Sequence, residues 1–267
     1  MNKKRNIVFI SHGGGPMPLL KDPDHSEMTA TLKKITAAMD KPSAILVISA
    51  HWEASLPTVT SGKNPDIIYD YNGFPKEAYE IRYPASGEPE LAKDVVNALK
   101  KNGIEAAQDD QRGFDHGLFV PLKIMYPEAD IPCVQLSLVH SLDAGFHIQI
   151  GKALQLLNWE NLLVIGSGFS FHNMRGFFSP NSQEIRENNM AFDHWLTSVI
   201  SDKTLPENTR EEMLNNWDSA PGSRFCHPRE EHLLPLHVCY GMATQACETT
   251  FKAKIMNKQS SMFYWGK

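Results

Sequence analysis

The chain has 267 residues, 42% of them apolar and 21% charged, and a formal net charge of −5. These values describe a globular protein that can bury a sizeable core. No long basic run is present: Lys3, Lys4 and Arg5 are too few for a nucleic-acid or membrane footprint, which argues against duplex binding.

The chain opens MNKKRNIVFISHGGG. Its apolar run, Ile7 to Ile10, is shorter than the roughly 7–15 residues of a secretory signal, so Ile7–Ser11 is read as a first strand. Thr29–Met39 reads as a helix with Leu32, Ile35 and Met39 on one face, and Ala44–Ala50 as a buried strand. Glu90–Lys101 is helical by the spacing of Leu91, Val95 and Leu99. Ile131–Leu138 is expected as a strand, Ile148–Leu157 as a helix and Leu162–Gly166 as another strand. A long helix is expected over Gln183–Ile200. Another is expected over Glu231–Ala243, where Pro235 is tolerable only in the first turn. Phe251–Ile255 and Ser261–Trp265 read as a closing hairpin. No window approaches the roughly 18 apolar residues of a membrane span.

Strands alternating with helices predict an α/β fold with helices on both faces of a sheet. Continuous apolar strands fit a mostly parallel sheet buried on both sides. No linker, repeat or low-complexity segment divides the chain, so residues 1–267 are expected to form one domain. Cys133, Cys226, Cys239 and Cys247 show no CxxC spacing. They read as reduced, buried thiols of a cytoplasmic protein.

Histidine carries the functional signal. His12 follows the strand IVFIS, His51 follows LVISA, and His172 lies four residues beyond LLVIGSG. Ligands of open α/β sheets bind beyond the carboxyl ends of the strands, so three parallel strands would aim these histidines at one crevice. A lone loop histidine more often caps a turn, and three at comparable places weaken that explanation. His12 opens HGGGPMPL, where glycines permit close approach of backbone to ligand. His51 sits in SAHWE, where Trp52 can wall a pocket and Glu53 can orient a ring. In FDHGLFVPL, Asp115 capping a turn with His116 in solvent is the plainer reading. In CHPREEHLLPL, either His227 or His232 can be a ligand, against a solvated helix start with Glu230 and Glu231 at the positive dipole end.

Neutral imidazole suits iron, zinc, copper and nickel, and a catalytic site of three protein ligands keeps a position open. A further histidine can serve as acid or base. The dinucleotide fingerprint, the GxSxG elbow and the HExxH pair are all missing. From the residues alone, oxygen chemistry at a ferrous centre, metal-assisted hydrolysis with zinc and a non-catalytic metal-binding module all stand.

The ordered motifs SHGGGPMPL, SAHWE, GFDHGLFVPL, GSGFSFHN and HPREEHLLPL run from residue 11 to about 236. In that order they resemble the class III extradiol ring-cleavage dioxygenases of the DOPA-dioxygenase type. The resemblance implies a three-layer α/β/α domain, Fe(II) in the active enzyme and Zn(II) as a metal often carried on purification. It implies His12, His51 and His232 as metal ligands. His172 is then the active-site base, close enough to be counted as a fourth ligand of a resting site. His116 would line the substrate cleft, and Trp52 and His227 are further candidates for substrate contact. His227 stands where some relatives have asparagine. The expected partners are a small catechol, DOPA-like or otherwise, and O2.

Overall fold

The computed structural model describes residues 5–180 and 182–266. Of the basic cluster, Lys3 and Lys4 lie outside these residues. The chain runs β1 (Arg5–Ser11), α1 (Ser26–Ala37), β2 (Ala44–Ala54), β3 (Thr58–Thr60), α2 (Pro89–Lys101), β4 (Ala107–Asp109), α3 (His116–Met125) and β5 (Cys133–Val139). It continues through α4 (Ala144–Leu154), β6 (Leu162–Gly168), α5 (Met174–Phe178), α6 (Gln183–Ser201), α7 (Glu207–Asn215), α8 (Ser223–Cys226), α9 (Leu234–Ala243), β7 (Thr249–Ile255) and β8 (Lys258–Trp265).

The strands form one eight-stranded sheet in the order β4-β3-β5-β2-β6-β1-β8-β7. Its centre, β5-β2-β6-β1, is parallel throughout. Antiparallel pairing enters at β3 against β5 and at the hairpin β7–β8, which joins β1 through β8. The sheet is therefore parallel where the expectation rested on buried apolar runs, with antiparallel pairing at β3 against β5 and at the β7–β8 hairpin, while the edge pair β3–β4 is parallel.

Alternation along the central strands explains the layers. Phe9, Leu46, Ile48 and Val164 face a core shared with α2, α4, α6 and α9. Val8, Ile10, Val47 and Ile165, one residue out of phase, face a second core with α1, α3 and the inner face of β7. Helices thus cover both faces of the sheet, as the sequence predicts.

Several boundaries differ from the expectation, each for a local reason. Helix α4 begins at Ala144 because the Asp143 side chain accepts from the Phe146 N–H and caps the first turn. Helix α9 begins only at Leu234, which puts Pro235 in the first turn, where its missing N–H costs nothing. Strand β2 runs on to Ala54, past the expected end at Ala50, and its pairing with β5 shifts register between Ile48 and Glu53. His51 lies inside that irregularity. Between these pairs β2 advances five residues and β5 two, and such an irregularity re-aims a side chain that a regular pleat would direct elsewhere. The four cysteines are buried and unpaired. Among the described residues, no helix is long and apolar enough to cross a membrane.

Candidate metal centre and active site

In the order β2-β6-β1, the central parallel strands end side by side, and their carboxyl ends carry the site. His12 leaves β1 with its N–H bonded to the Gly168 carbonyl at the end of β6. The following Gly13 has φ +89°, and a Cβ there would come within 2.4 Å of Pro18, so this turn needs glycine twice over. His232 precedes α9, and its carbonyl accepts the Phe169 N–H at 2.8 Å. That bond ties the loop before α9 to the residue just after β6.

Three imidazoles meet at this point. Ring centroids are 4.7 Å apart for His12 and His51, 5.2 Å for His12 and His232, and 4.9 Å for His51 and His232. Their tautomers follow from their partners. Ser167 Oγ donates to the Gly117 carbonyl, so towards His12 Nδ1, 3.1 Å away, it can only accept; the His12 proton sits on Nδ1. His232 Nδ1 is 2.8 Å from Glu231 Oε1, and a carboxylate likewise requires Nδ1–H. His51 Nδ1 faces Asp70 Oδ2 at 3.8 Å, which favours the same tautomer.

Each ring therefore turns a bare Nε2 inward. His12 and His51 Nε2 stand 2.9 Å apart; with both protons on Nδ1, two lone pairs face one another. His232 Nε2 is buried with no hydrogen-bond partner. Such an arrangement is costly for neutral imidazoles alone, and a cation accepted by all three nitrogens relieves it. Burial, reinforced by the neighbouring histidines, holds His12 and His232 well below the ordinary histidine range. Burial and His116 do the same for His51. All three are thus kept in the neutral form that binds metal.

Two more histidines flank the three. His116 opens α3, and both its Nδ1 and its backbone N–H donate to Asp70 Oδ1, at 2.9 and 3.0 Å. Its ring lies 3.8 Å from that of His51. Asp70 is thereby shared by His51 and His116. Burial alone would push its carboxyl up, but the His116 hydrogen bonds and charge outweigh burial and bring it below the ordinary range. His172 stacks on His232 with centroids 3.3 Å apart and planes within 12°. Its Nδ1 is 3.4 Å from Glu231 Oε1, so Glu231 faces both rings. The donor atoms of His12, His51 and His116 lie within 4.8 Å of one another, as do those of His172, Glu231 and His232. The histidines open onto a cavity of about 370 Å³, whose wall includes Gly13–Gly15.

The profile described as the catalytic LigB subunit of aromatic ring-opening dioxygenase matches residues 7–264. The chain belongs to this family. A Beta vulgaris protein named 4,5-DOPA dioxygenase extradiol is 41% identical over 90% of this chain and 87% of its own length. The protein of that name from Escherichia coli K12 is 35% identical over 86% of this chain and 82% of its own length. Dioxygenase tasH of Hapsidospora irregularis is 37% identical over 97% of this chain and 85% of its own length. A solved structure of an uncharacterized Escherichia coli K12 protein superposes with a TM-score of 0.76 at 28% identity, covering 98% of this chain and 99% of that one. The LigB-family chain described here is an aromatic ring-opening, extradiol-type dioxygenase, an oxidoreductase acting on a small aromatic molecule and O2.

The fold brings together five of the seven residues singled out from sequence: His12, His51, His116, His172 and His232 all line the cavity of this dioxygenase. The other two lie apart. His227 is fully buried between Phe192 and Trp217, and burial pushes its pKa down to about 3. It caps the end of α8, where its N–H donates to the Ser223 carbonyl at 2.7 Å. Trp52 is 7% exposed and stacks under the Arg112 guanidinium at 4.5 Å, on the opposite strand face from His51. Neither lines the cavity, which corrects the expectation that both contact substrate.

Glu53 does not orient a histidine. It forms a two-point pair with Arg229 at 2.6 and 2.7 Å, and Arg229 in turn lies 3.3 Å from Glu231. Nor is Asp115 a solvent-exposed turn cap. It is completely buried and accepts from Ser49, Arg112 and Gln135, so His116 is drawn into the site. Asp70, Ser167 and Glu231 are the functional neighbours that sequence reasoning missed or misassigned. Asp70 stands in the loop segment IIYDYNG, where no periodicity or spacing marks it. Glu231 carried a signal, its adjacency to His232.

Proposed function

We propose that this dioxygenase opens a catechol ring beside its diol, with Fe(II) held by His12, His51 and His232, and that residues 1–267 act as one catalytic domain. The observation that carries the reading is the meeting of three bare Nε2 atoms, two of them 2.9 Å apart and the third buried without a partner. Three neutral nitrogens suit ferrous iron and zinc alike and leave positions open. Ferrous iron would supply a common site for the diol oxygens and O2 and a path for electrons between them.

The chain supplies the rest. His172 turns Nδ1 to Glu231, which leaves Nε2 as its basic atom and suits it to take a proton from a catechol hydroxyl. His116, held by Asp70 through Nδ1, keeps Nε2 free to hydrogen-bond the substrate or oxygen. Asp70 and Glu231 fix the tautomer and tilt of their histidines, as outer partners of metal-binding imidazoles do. The glycine turn lies in the cavity wall, where backbone can come close to a bound ring.

Anaerobic reconstitution with Fe(II), followed by O2 uptake over a catechol panel, tests the reading. Uptake with a yellow ring-opened product is expected. Catechol-independent ester or amide hydrolysis by the zinc form, with no O2 uptake by the ferrous form, would replace it with a zinc hydrolase.

A further inference from the structure

The histidines form the floor of the cavity: His12, His116 and His232 are each at most 5% exposed. Its outer wall is of another kind. Met174, Phe177 and Phe178 come from α5, Phe74 from the loop after Tyr71, and Met256 from the β7–β8 turn. Met174 and Phe178 are 54% and 74% exposed, two of the few large apolar side chains so open to solvent. The wall is organised by ring contacts: Phe177 packs against Phe169 at 5.7 Å, and Phe74 against Tyr71 at 5.4 Å. Met256 is anchored through its backbone N–H, which donates to the Asp24 carbonyl at 3.1 Å.

Among the described residues, no Lys, Arg, Asp or Glu lines this cavity. Two polar groups of the outer part are already committed. The Tyr71 hydroxyl donates to the Ala78 carbonyl at 2.6 Å, and the Gly14 N–H donates to His25 Nε2 at 3.0 Å. A diol seated at the histidine floor projects the rest of its ring towards α5. There a carboxylate or ammonium would lose water and find no partner, whereas an alkyl or aryl arm would cover the exposed phenylalanine and methionine.

We infer that the substrate is a neutral catechol with an apolar arm, and that the Met174–Phe178 segment with Phe74 and Met256 selects it over catechols bearing a charged arm. The amino-acid arm in the names of several relatives is the kind this wall disfavours. The inference rests on the proposed ring-opening reading in one respect, that the diol sits at the histidines. Arg175 lies on α5 but outside the cavity wall, and Arg229 is paired with Glu53 and Glu231.

The test compares propylcatechol with dihydrocaffeate and DOPA, similar in size and different in charge. Binding is measured by calorimetry on the zinc-loaded protein, and turnover by O2 uptake of the ferrous form. Propylcatechol should bind about tenfold more tightly than either charged compound. Lengthening the arm to butyl should tighten binding further, in line with the worth of a buried methylene. Phe178→Arg, at an exposed position that should not disturb folding, should shift the ratio of affinities about tenfold towards dihydrocaffeate. Equal or tighter binding of dihydrocaffeate or DOPA by the unaltered protein overturns the inference, more so if Arg175→Ala abolishes it. An affinity ratio unmoved by Phe178→Arg also counts against it. If the binding order holds while no catechol takes up O2, the ring-opening reading fails and the preference for an apolar neutral arm stands.

Discussion

At the scale of single residues, the site is governed by which imidazole nitrogen carries the proton. Ser167 and Glu231 place it on Nδ1 of His12 and His232, and the nearby Asp70 carboxylate favours the same for His51, which leaves Nε2 for the proposed metal. His12→Ala, His51→Ala or His232→Ala should each remove most bound metal, since three ligands have little redundancy; elemental analysis of the purified variants measures this. His172→Gln should retain most iron and lose about 10²–10⁴-fold in O2 uptake, the usual range for a lost acid–base group. Iron loss equal to that of His12→Ala would instead make His172 a fourth ligand. Asp70→Asn should keep the ring positions yet cost roughly 10–100-fold in activity, because it weakens the hold on His116 and His51. His227 offers a pH test outside the cavity. Its folded pKa of about 3 lies below the unfolded value, so the unfolded chain binds the extra proton and stability falls as pH drops. The loss starts near pH 6.5 and approaches about 1.4 kcal/mol per pH unit until the folded group titrates. Between pH 7 and pH 5, the unfolding free energy from denaturant melts should fall by about 2 kcal/mol more for the unaltered protein than for His227→Gln.

Among the elements, two junctions position the proposed ligands. The register shift in β2 turns His51 towards the neighbouring strand ends. The end of β6 presses directly on the loop before α9. A Cβ on Gly168 would come within 2.1 Å of the His232 carbonyl oxygen. Gly168→Ala should therefore displace His232 without replacing any proposed ligand, lowering metal affinity together with stability by about 1–3 kcal/mol. Metal titration alongside thermal melts separates the two effects. Unchanged metal affinity would show that the loop before α9 yields independently of β6. Helices α4 and α9 are similarly close: a Cβ on Gly241 would meet the Ile148 carbonyl at 2.1 Å. Helix α9 is thus seated by backbone contact, which limits how far the loop carrying His232 can drift.

For the molecule as a whole, the metal would tie together segments far apart in sequence. His12, His51 and His232 leave β1, β2 and the loop before α9, so binding metal closes a cross-link that the unfolded chain lacks. A ligand present at 1,000 times its Kd stabilises the folded state by about 4 kcal/mol. For a chain of this size that raises Tm by on the order of 10 °C. Chelation by EDTA should lower Tm by a comparable amount and Fe(II) or Zn(II) should restore it, with His232→Ala indifferent to both. A chelator-insensitive melt would mean that the three nitrogens are satisfied without metal.

The sequence by itself determined the central strands, because runs such as IVFIS and AILVISA are apolar on both faces and fit only a sheet covered twice. It also placed His12, His51 and His172 near strand ends and marked His232 at the head of a late helix, since those relations are local along the chain. The short strands β3 and β4 and the helices α5 and α8 were not legible, because three to five residues carry too little periodicity to register. Tertiary structure alone decided that His227 belongs to the core, though it shares one motif with His232. It also set the protonation of each ring. Ser167 approaches His12 from a separate strand, and Asp70 approaches His51 and His116 from an irregular loop. The bare nitrogen that metal requires is a property of the pair, created when distant segments pack together, and no residue's own neighbours in sequence encode it.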